Sequence, residues 1–311
     1  MTHDTVSMTR RGQGRTAAGS PTYCFLIGGG RCGSTLVHEV LARHPDIGFI
    51  SNLEDRFPQA RILGRWNKVV YQRIPPWLTD KGRLRYAPSE GWRVLERQVS
   101  PMLSTPVRDL RADDAMPWLS QRFREFFERR AAAQGTPVFV HKFTGWPRTG
   151  FVERILPGAK FVRIVRDGRA VANSVLKTPW WRGYEGPTRS LLGPLPQPYE
   201  TEWEASNRSF ALLAGLEWKL LMDAFEAAEQ AARPGSWLTV RYEDVVADPR
   251  RWFGEMLTFL GLEWTRAFER GFTRHHFNAA RAEAFRADLD PASLRLLEES
   301  LAAHLARYGY G

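Results

Sequence analysis

The chain has 311 residues, 43% of them hydrophobic and 12% aromatic, enough to bury a sizeable core and too apolar for a disordered or fibrous chain. Its formal net charge of +10 suits an anionic ligand, but the basic residues are scattered, without long runs or a nucleic-acid-binding motif, so no nucleic acid is expected as a partner. Only Cys24 and Cys32 occur, which excludes a disulfide framework and predicts a reducing, cytoplasmic setting.

No stretch approaches the ~18 consecutive apolar residues of a membrane span. Residues 1–20 are polar, with Arg10, Arg11 and Arg15 but no apolar run, and read as a disordered tail rather than a secretory signal. Residues 21–311 are expected to form a single domain.

Tyr23 to Ile27 is a short apolar run of the kind that makes a buried strand. Gly28, Gly29, Gly30 and Gly33 then permit a tight turn, and Ser34 and Thr35 open a helix with Leu36, Val37, Val40 and Leu41 on its apolar face. A glycine loop that opens a helix presents N–H groups and a positive dipole end to phosphate or sulfate. The spacing Gly28-x-x-x-x-Gly33-Ser34-Thr35 is almost a Walker A loop. Ser34 stands in place of its lysine, and Arg31 lies three residues earlier. A P-loop kinase, which needs that lysine on its phosphates, is the lesser alternative.

Ile47 to Ile50 reads as a second strand, with Glu54 and Asp55 after its carboxyl end, where ligands of open α/β sheets gather. Residues 56–116 are rich in Arg, Pro and Trp and predict only short helices, around Trp66 to Tyr71 and Trp92 to Val99. A helix over Trp118 to Ala133 follows, then a third strand, Val138 to Lys142, that ends in His141 and Lys142. Lys160 to Val165 is the fourth strand. Arg166 ends it, and Ser174 lies eight residues on in the next helix. An arginine fork and a hydroxyl so placed make a second anion-binding pair. Thr178 to Trp203 is rich in proline and aromatics, including Trp180 and Trp181, and reads as an ordered lid over a flat or apolar acceptor. One long helix is expected over Glu204 to Ala232, a fifth strand over Ser236 to Val240, and helices over Pro249 to Leu260 and Pro291 to Tyr308. Strands alternating with helices predict an α/β fold: a central parallel five-stranded sheet flanked by helices, P-loop-like, with the lid as an insertion.

These stretches together resemble the sulfotransferases that use 3′-phosphoadenosine-5′-phosphosulfate (PAPS). Gly30-Arg31-Cys32-Gly33-Ser34-Thr35-Leu36 resembles that family's 5′-phosphosulfate loop. Lys160 to Ser174 resembles its 3′-phosphate segment, in which an Arg and a Ser eight residues later hold the 3′-phosphate; here these are Arg166 and Ser174. Val240-Arg-Tyr-Glu-Asp is similar to a segment the family often carries after its last strand, with a structural role. The first loop has Arg31 where the cytosolic aryl branch has lysine, as in the tyrosylprotein-like branch and many bacterial members, and Lys142 matches a lysine of that branch. The aryl branch's late Arg-Lys-Gly loop is absent, so its acceptor does not carry over.

The resemblance implies in-line transfer of a sulfuryl group, without a metal, from PAPS to a hydroxyl or amine of a small-molecule, carbohydrate or natural-product acceptor, leaving adenosine 3′,5′-bisphosphate (PAP). Arg31 and Lys142 are the expected cations at the leaving oxygen. The backbone of Cys32 to Leu36, with the Ser34 and Thr35 hydroxyls, is expected to hold the phosphosulfate. For the base that takes the acceptor's proton, Glu54 is the first candidate, with His141 and Asp55 behind it. A protein that binds PAP or nucleic acid without catalysis is the alternative outside enzymes.

Overall fold

The computed structural model describes residues 20–59, 63–73 and 86–311. The predicted tail lies outside these residues except for Ser20. Five strands, β1 (Thr22–Gly28), β2 (Ile47–Gly48), β3 (Val138–Thr144), β4 (Lys160–Val165) and β5 (Trp237–Arg241), form one sheet in the order β2-β3-β1-β4-β5. Every pairing is parallel. β1, the centre of the sheet, is buried from Tyr23 onward, as a strand covered on both faces must be.

The pleat divides β1 and β3 between two cores. Phe25, Phe139, Phe143 and Phe161 face one side, under the helices Pro117–Gln134 and Phe210–Gln230, which contribute Phe123, Phe127, Leu213 and Phe225. Leu26, Val140 and Val162 face the other, under the helices Ser34–Leu41 and Pro249–Leu260, which contribute Val37, Val40, Phe253 and Met256. Each fully buried aromatic or aliphatic side chain is worth about 1.5–3 kcal/mol.

Three elements differ from the sequence expectation. β2 is only two residues long and forms the edge of the sheet, so Phe49 and Ile50 lie beyond it. β3 runs on past Lys142 to Thr144. The single helix expected over Glu204 to Ala232 is two, Gln197–Ala205 and Phe210–Gln230. Asn207 and Arg208 take left-handed φ values of 56° and 58°, which no helix continues through. Ser209 then caps the second helix, its Oγ accepting the Leu212 N–H at 3.3 Å. No helix among the described residues is long and apolar enough to cross a membrane.

Candidate active site

The turn after β1 owes its shape to two glycines. A Cβ on Gly28 would lie 2.5 Å from the Ile164 carbonyl oxygen, so only glycine lets β1 lie this close to β4. Gly33 has φ +92°, and a Cβ there would meet the Tyr242 ring at 2.2 Å. Tyr242 therefore buttresses the loop. This gives a physical basis to the segment after β5, whose Glu243 accepts the Tyr310 hydroxyl at 2.7 Å. The N–H of Cys32 bonds the Gly29 carbonyl and that of Leu36 bonds the Gly33 carbonyl, so the turn and helix use these two of the expected anion donors. Cys32 is buried, which pushes its thiol up. Gly29, Gly30, Arg31, Gly33, Ser34, Thr35 and Leu36 line a cavity of ≈ 1450 Å³.

Three cations meet at this loop. Arg31, at left-handed φ 67°, donates from Nε to Ser174 Oγ at 2.9 Å. Arg166 donates from Nη1 to the Arg31 carbonyl oxygen at 3.0 Å, and its guanidinium lies 4.7 Å from the Tyr242 ring centre. Lys142 donates from Nζ to Thr35 Oγ1 at 2.9 Å. Trp218 Nε1 donates to the Arg166 carbonyl at 3.1 Å and holds the end of β4. Asp167 turns away to Arg169, at 2.8 Å, and its Oδ1 caps the helix Gly168–Leu176. The loop and the Arg166/Ser174 pair, read as two anion sites, are thus one hydrogen-bonded rim.

The expected bases lie elsewhere. Glu54 is buried outside this cavity: its Oε1 accepts from Arg130 Nε at 2.6 Å and its Oε2 from Asn67 Nδ2 at 3.0 Å. β2 is the edge strand, separated from β1 by β3. Asp55 accepts the Val94 N–H at 3.0 Å, near the start of the helix Trp92–Gln98, and burial pushes its carboxyl up. His141 pairs with Phe25 in the β1–β3 register and is packed by Phe143, Phe127 and Phe25 at 4.6, 5.2 and 6.2 Å between ring centres. It shares none of the cavity wall, and burial holds its imidazole well below the ordinary value. Lys142, one residue on, pairs with Leu26 and faces the opposite side, where the loop lies.

A carboxylate that the sequence reading missed does stand in the cavity. Glu90 Oε1 lies 3.6 Å from Lys142 Nζ and accepts the Thr144 hydroxyl at 2.5 Å; its Oε2 accepts the Trp92 indole N–H at 3.0 Å. Its position depends on chain pairing beyond the sheet: Ser89 N–H bonds the Ile50 carbonyl at 2.8 Å, and Asn52 N–H bonds that of Ala87 at 2.9 Å. The one local sign is a glutamate set between Ser89 and Gly91 before a helix, a weak turn signal.

The lid is ordered but divided. Trp180 is half-exposed in the cavity wall, and its ring comes within 3.6 Å of where a Gly30 Cβ would stand. Trp181 is buried, its indole N–H bonded to Glu217 Oε2 at 3.0 Å, and burial pushes the Glu217 carboxyl up. Trp203 turns inward, bonding the Ser209 carbonyl at 3.1 Å. Thr273, Arg274, His275 and Asn278, to which the sequence reading gave no role, complete the wall beyond the helix Ser34–Leu41.

A family profile described as the sulfotransferase family matches residues 24–266. Among solved structures, sulfotransferase STF1 from Mycobacterium tuberculosis H37Rv is similar with a TM-score of 0.51 at 16% identity, over 92% of this chain and 78% of that one. STF9 from Mycobacterium avium is similar with a TM-score of 0.50 at 13% identity, over 94% and 77%. The sulfotransferase domain of the Synechococcus PCC 7002 olefin synthase has a TM-score of 0.45 at 18% identity, over 94% and 98%. No curated protein matches the chain by sequence. The two mycobacterial enzymes share its P-loop-like fold, and the profile match spans most of its length: the chain belongs to the sulfotransferase family, PAPS-dependent enzymes that move a sulfuryl group to an acceptor.

Proposed function

We propose that the donor lies along the rim from the Gly29–Thr35 loop to Arg166 and Ser174, and that Glu90 is the base for an acceptor held under the lid. The observation that carries this is the joined rim itself: Arg31 bonded to Ser174, Arg166 bonded to Arg31, and Lys142 bonded to the same helix start. Gly29 and Gly30 put no side chain into the cavity wall beside Leu221 and Trp180, which suits an approaching phosphosulfate. The cavity exceeds the roughly 300–1,000 Å³ of a single-ligand pocket, which suits two substrates side by side.

In this reading the acceptor oxygen forms its bond to sulfur as the bond from sulfur to the 5′-phosphate oxygen breaks, and that oxygen keeps the electron pair. Lys142 and Arg31 stabilise the charge that develops there, already positioned by Thr35 and Ser174. Gly33, Ser34 and Thr35 at the helix start hold the phosphate. Glu90 receives the acceptor's proton; Thr144 and Trp92 fix its carboxylate so that it is in place before the proton moves. Trp180, Trp92 and Trp146 in the wall favour a small-molecule, carbohydrate or natural-product acceptor with a flat or apolar face. Residues 21–311 act as one catalytic domain, and the two buried thiols suit cytoplasmic conditions.

An acceptor panel with labelled PAPS, run with and without chelator, tests the reading. Label should move to at least one hydroxyl or amine at a rate the chelator leaves unchanged. Tight PAP binding with no transfer to any acceptor would leave a binding protein instead.

A further inference from the structure

A second cavity, of ≈ 730 Å³, shares a wall with the first. The helix Trp92–Gln98 turns Trp92 and Glu96 toward the active-site cavity, and Arg97 and Gln98 toward this one. Its lining has five arginines, Arg65, Arg97, Arg122, Arg129 and Arg130, against two carboxylates, Glu54 and Glu125. Both carboxylates are already matched. Glu54 holds Arg130 at 2.6 Å, and Glu125 pairs with Arg129 and accepts Gln121 Nε2 at 2.9 Å. Arg65 and Arg122 lie over their neighbours Trp66 and Trp118 at 5.7 and 5.4 Å, and neither they nor Arg97 has a carboxylate partner among the described residues. Three guanidinium charges therefore face one hollow with no carboxylate partner among the described residues.

The floor beneath them is fixed. Arg130 Nη2 donates to Gln98 Oε1 at 3.0 Å, Gln98 Nε2 donates to the Pro58 carbonyl at 2.7 Å, and the Arg130 guanidinium stacks 3.6 Å above Phe126. The volume falls within the range of a small-molecule pocket. A phosphate group brings a charge of about −1.5 to −2 near neutral pH, so three positive charges match two such groups better than one. Guanidinium forks are the usual partners of phosphate and sulfate oxygens.

We infer that this cavity is a second anion site, separate from the donor rim, for a small molecule bearing two or more phosphate or sulfate groups. The inference uses no residue of the donor rim and stands apart from the proposed reaction. Two sources share this chemistry, polyphosphates and polysulfated carbohydrates. Inorganic tripolyphosphate and sucrose octasulfate serve as the two probes.

Calorimetric titration of the full chain with each probe should show two sites, one lost in Arg166→Ala and the other weakened at least about tenfold in the Arg97→Ser/Arg122→Ser double variant, since each charge-assisted hydrogen bond lost contributes about a factor of ten or more. Both substituted side chains are exposed, and a far-UV spectrum and melting curve like wild type show that the fold is kept. The charge-conserving Arg97→Lys/Arg122→Lys variant should keep the second site and lose part of its affinity. The probe bound more tightly identifies the source. Isotherms that Arg97→Ser/Arg122→Ser leaves unchanged for both probes, or that show only the site removed by Arg166→Ala, would overturn the inference.

Discussion

Glu54 and Glu90 are the same residue type, each close to a chain segment that leaves the carboxyl side of the sheet, yet their surroundings differ completely. Glu54 accepts from Arg130 and Asn67 and has a side chain only 6% exposed, so both its oxygens are committed to the fold. Glu90 is held by a hydroxyl and an indole and stands 3.6 Å from a lysine at the phosphate loop. A carboxylate locked to a part-buried guanidinium is an ion pair that stability depends on. One held chiefly by a hydroxyl and an indole in the cavity wall keeps lone pairs with which to accept a proton. Strand-end position alone does not tell the two apart; the partners do.

The comparison breaks most sharply on activity. Glu90→Gln should lower kcat by ~10²–10⁴, the usual contribution of a positioned base, with PAP affinity nearly unchanged. Activity within a few-fold of wild type would remove Glu90 from the reaction. Glu54→Gln should do the reverse. It removes the charge that faces Arg130 Nε and costs about 3–5 kcal/mol of stability, read from urea midpoints, while kcat per folded molecule stays near wild type. A kcat loss in Glu54→Gln as large as in Glu90→Gln would restore Glu54 as a base. Lys142→Ala should cost ~10²–10³ in rate, as loss of an oxyanion-type donor does, and wild-type turnover would refute its role at the leaving oxygen.

The last effect, partly cancelled by buried carboxylates, concerns the buried histidines. Burial takes the His38 imidazole from 6.5 down to about 3 and that of His275 to about 4, and holds His141 well below 6.5. As pH falls below 6.5 the unfolded chain takes up protons that the folded chain refuses. Stability is therefore intact above 6.5 and declines toward pH 5 by at most about 1.4 kcal/mol per pH unit for each histidine. Glu217 and Glu243, whose carboxyls burial pushes up, act in the opposite sense and reduce the net slope. Equal urea midpoints at pH 7.5 and 5.0 would contradict this balance.

Much of the proposed donor rim was readable because its geometry is local. Gly28 to Thr35 is one strand-to-helix turn, and Arg166 and Ser174 are fixed by a strand end and the helix after it. Spacing along the chain decides such features, so residue order suffices. The placement of the carboxylates was not readable for the opposite reason. Whether Glu54 faces the crevice depends on β2 being the edge strand beyond β3, and strand order is a property of the whole sheet. Glu90 depends on residues 87–89 lying against the chain after β2, in a segment with no periodicity to read. His141 and Lys142 are neighbours, but the pleat sends one into a phenylalanine cluster and the other to the phosphate loop. The stretch Thr178 to Trp203 was legible as an ordered aromatic segment. The inward turn of Trp203, however, followed from the unforeseen break at Asn207 and Arg208.

The account stands or falls on one donor rim that runs from the loop to Arg166. Titrating PAP into wild type and into Arg166→Ala by calorimetry tests it directly. A PAP site in wild type whose affinity falls at least about tenfold in Arg166→Ala is the predicted result, because the variant removes a charged fork from the anion. Equal affinity in the two proteins would contradict it, and the 3′-phosphate would have to be held elsewhere.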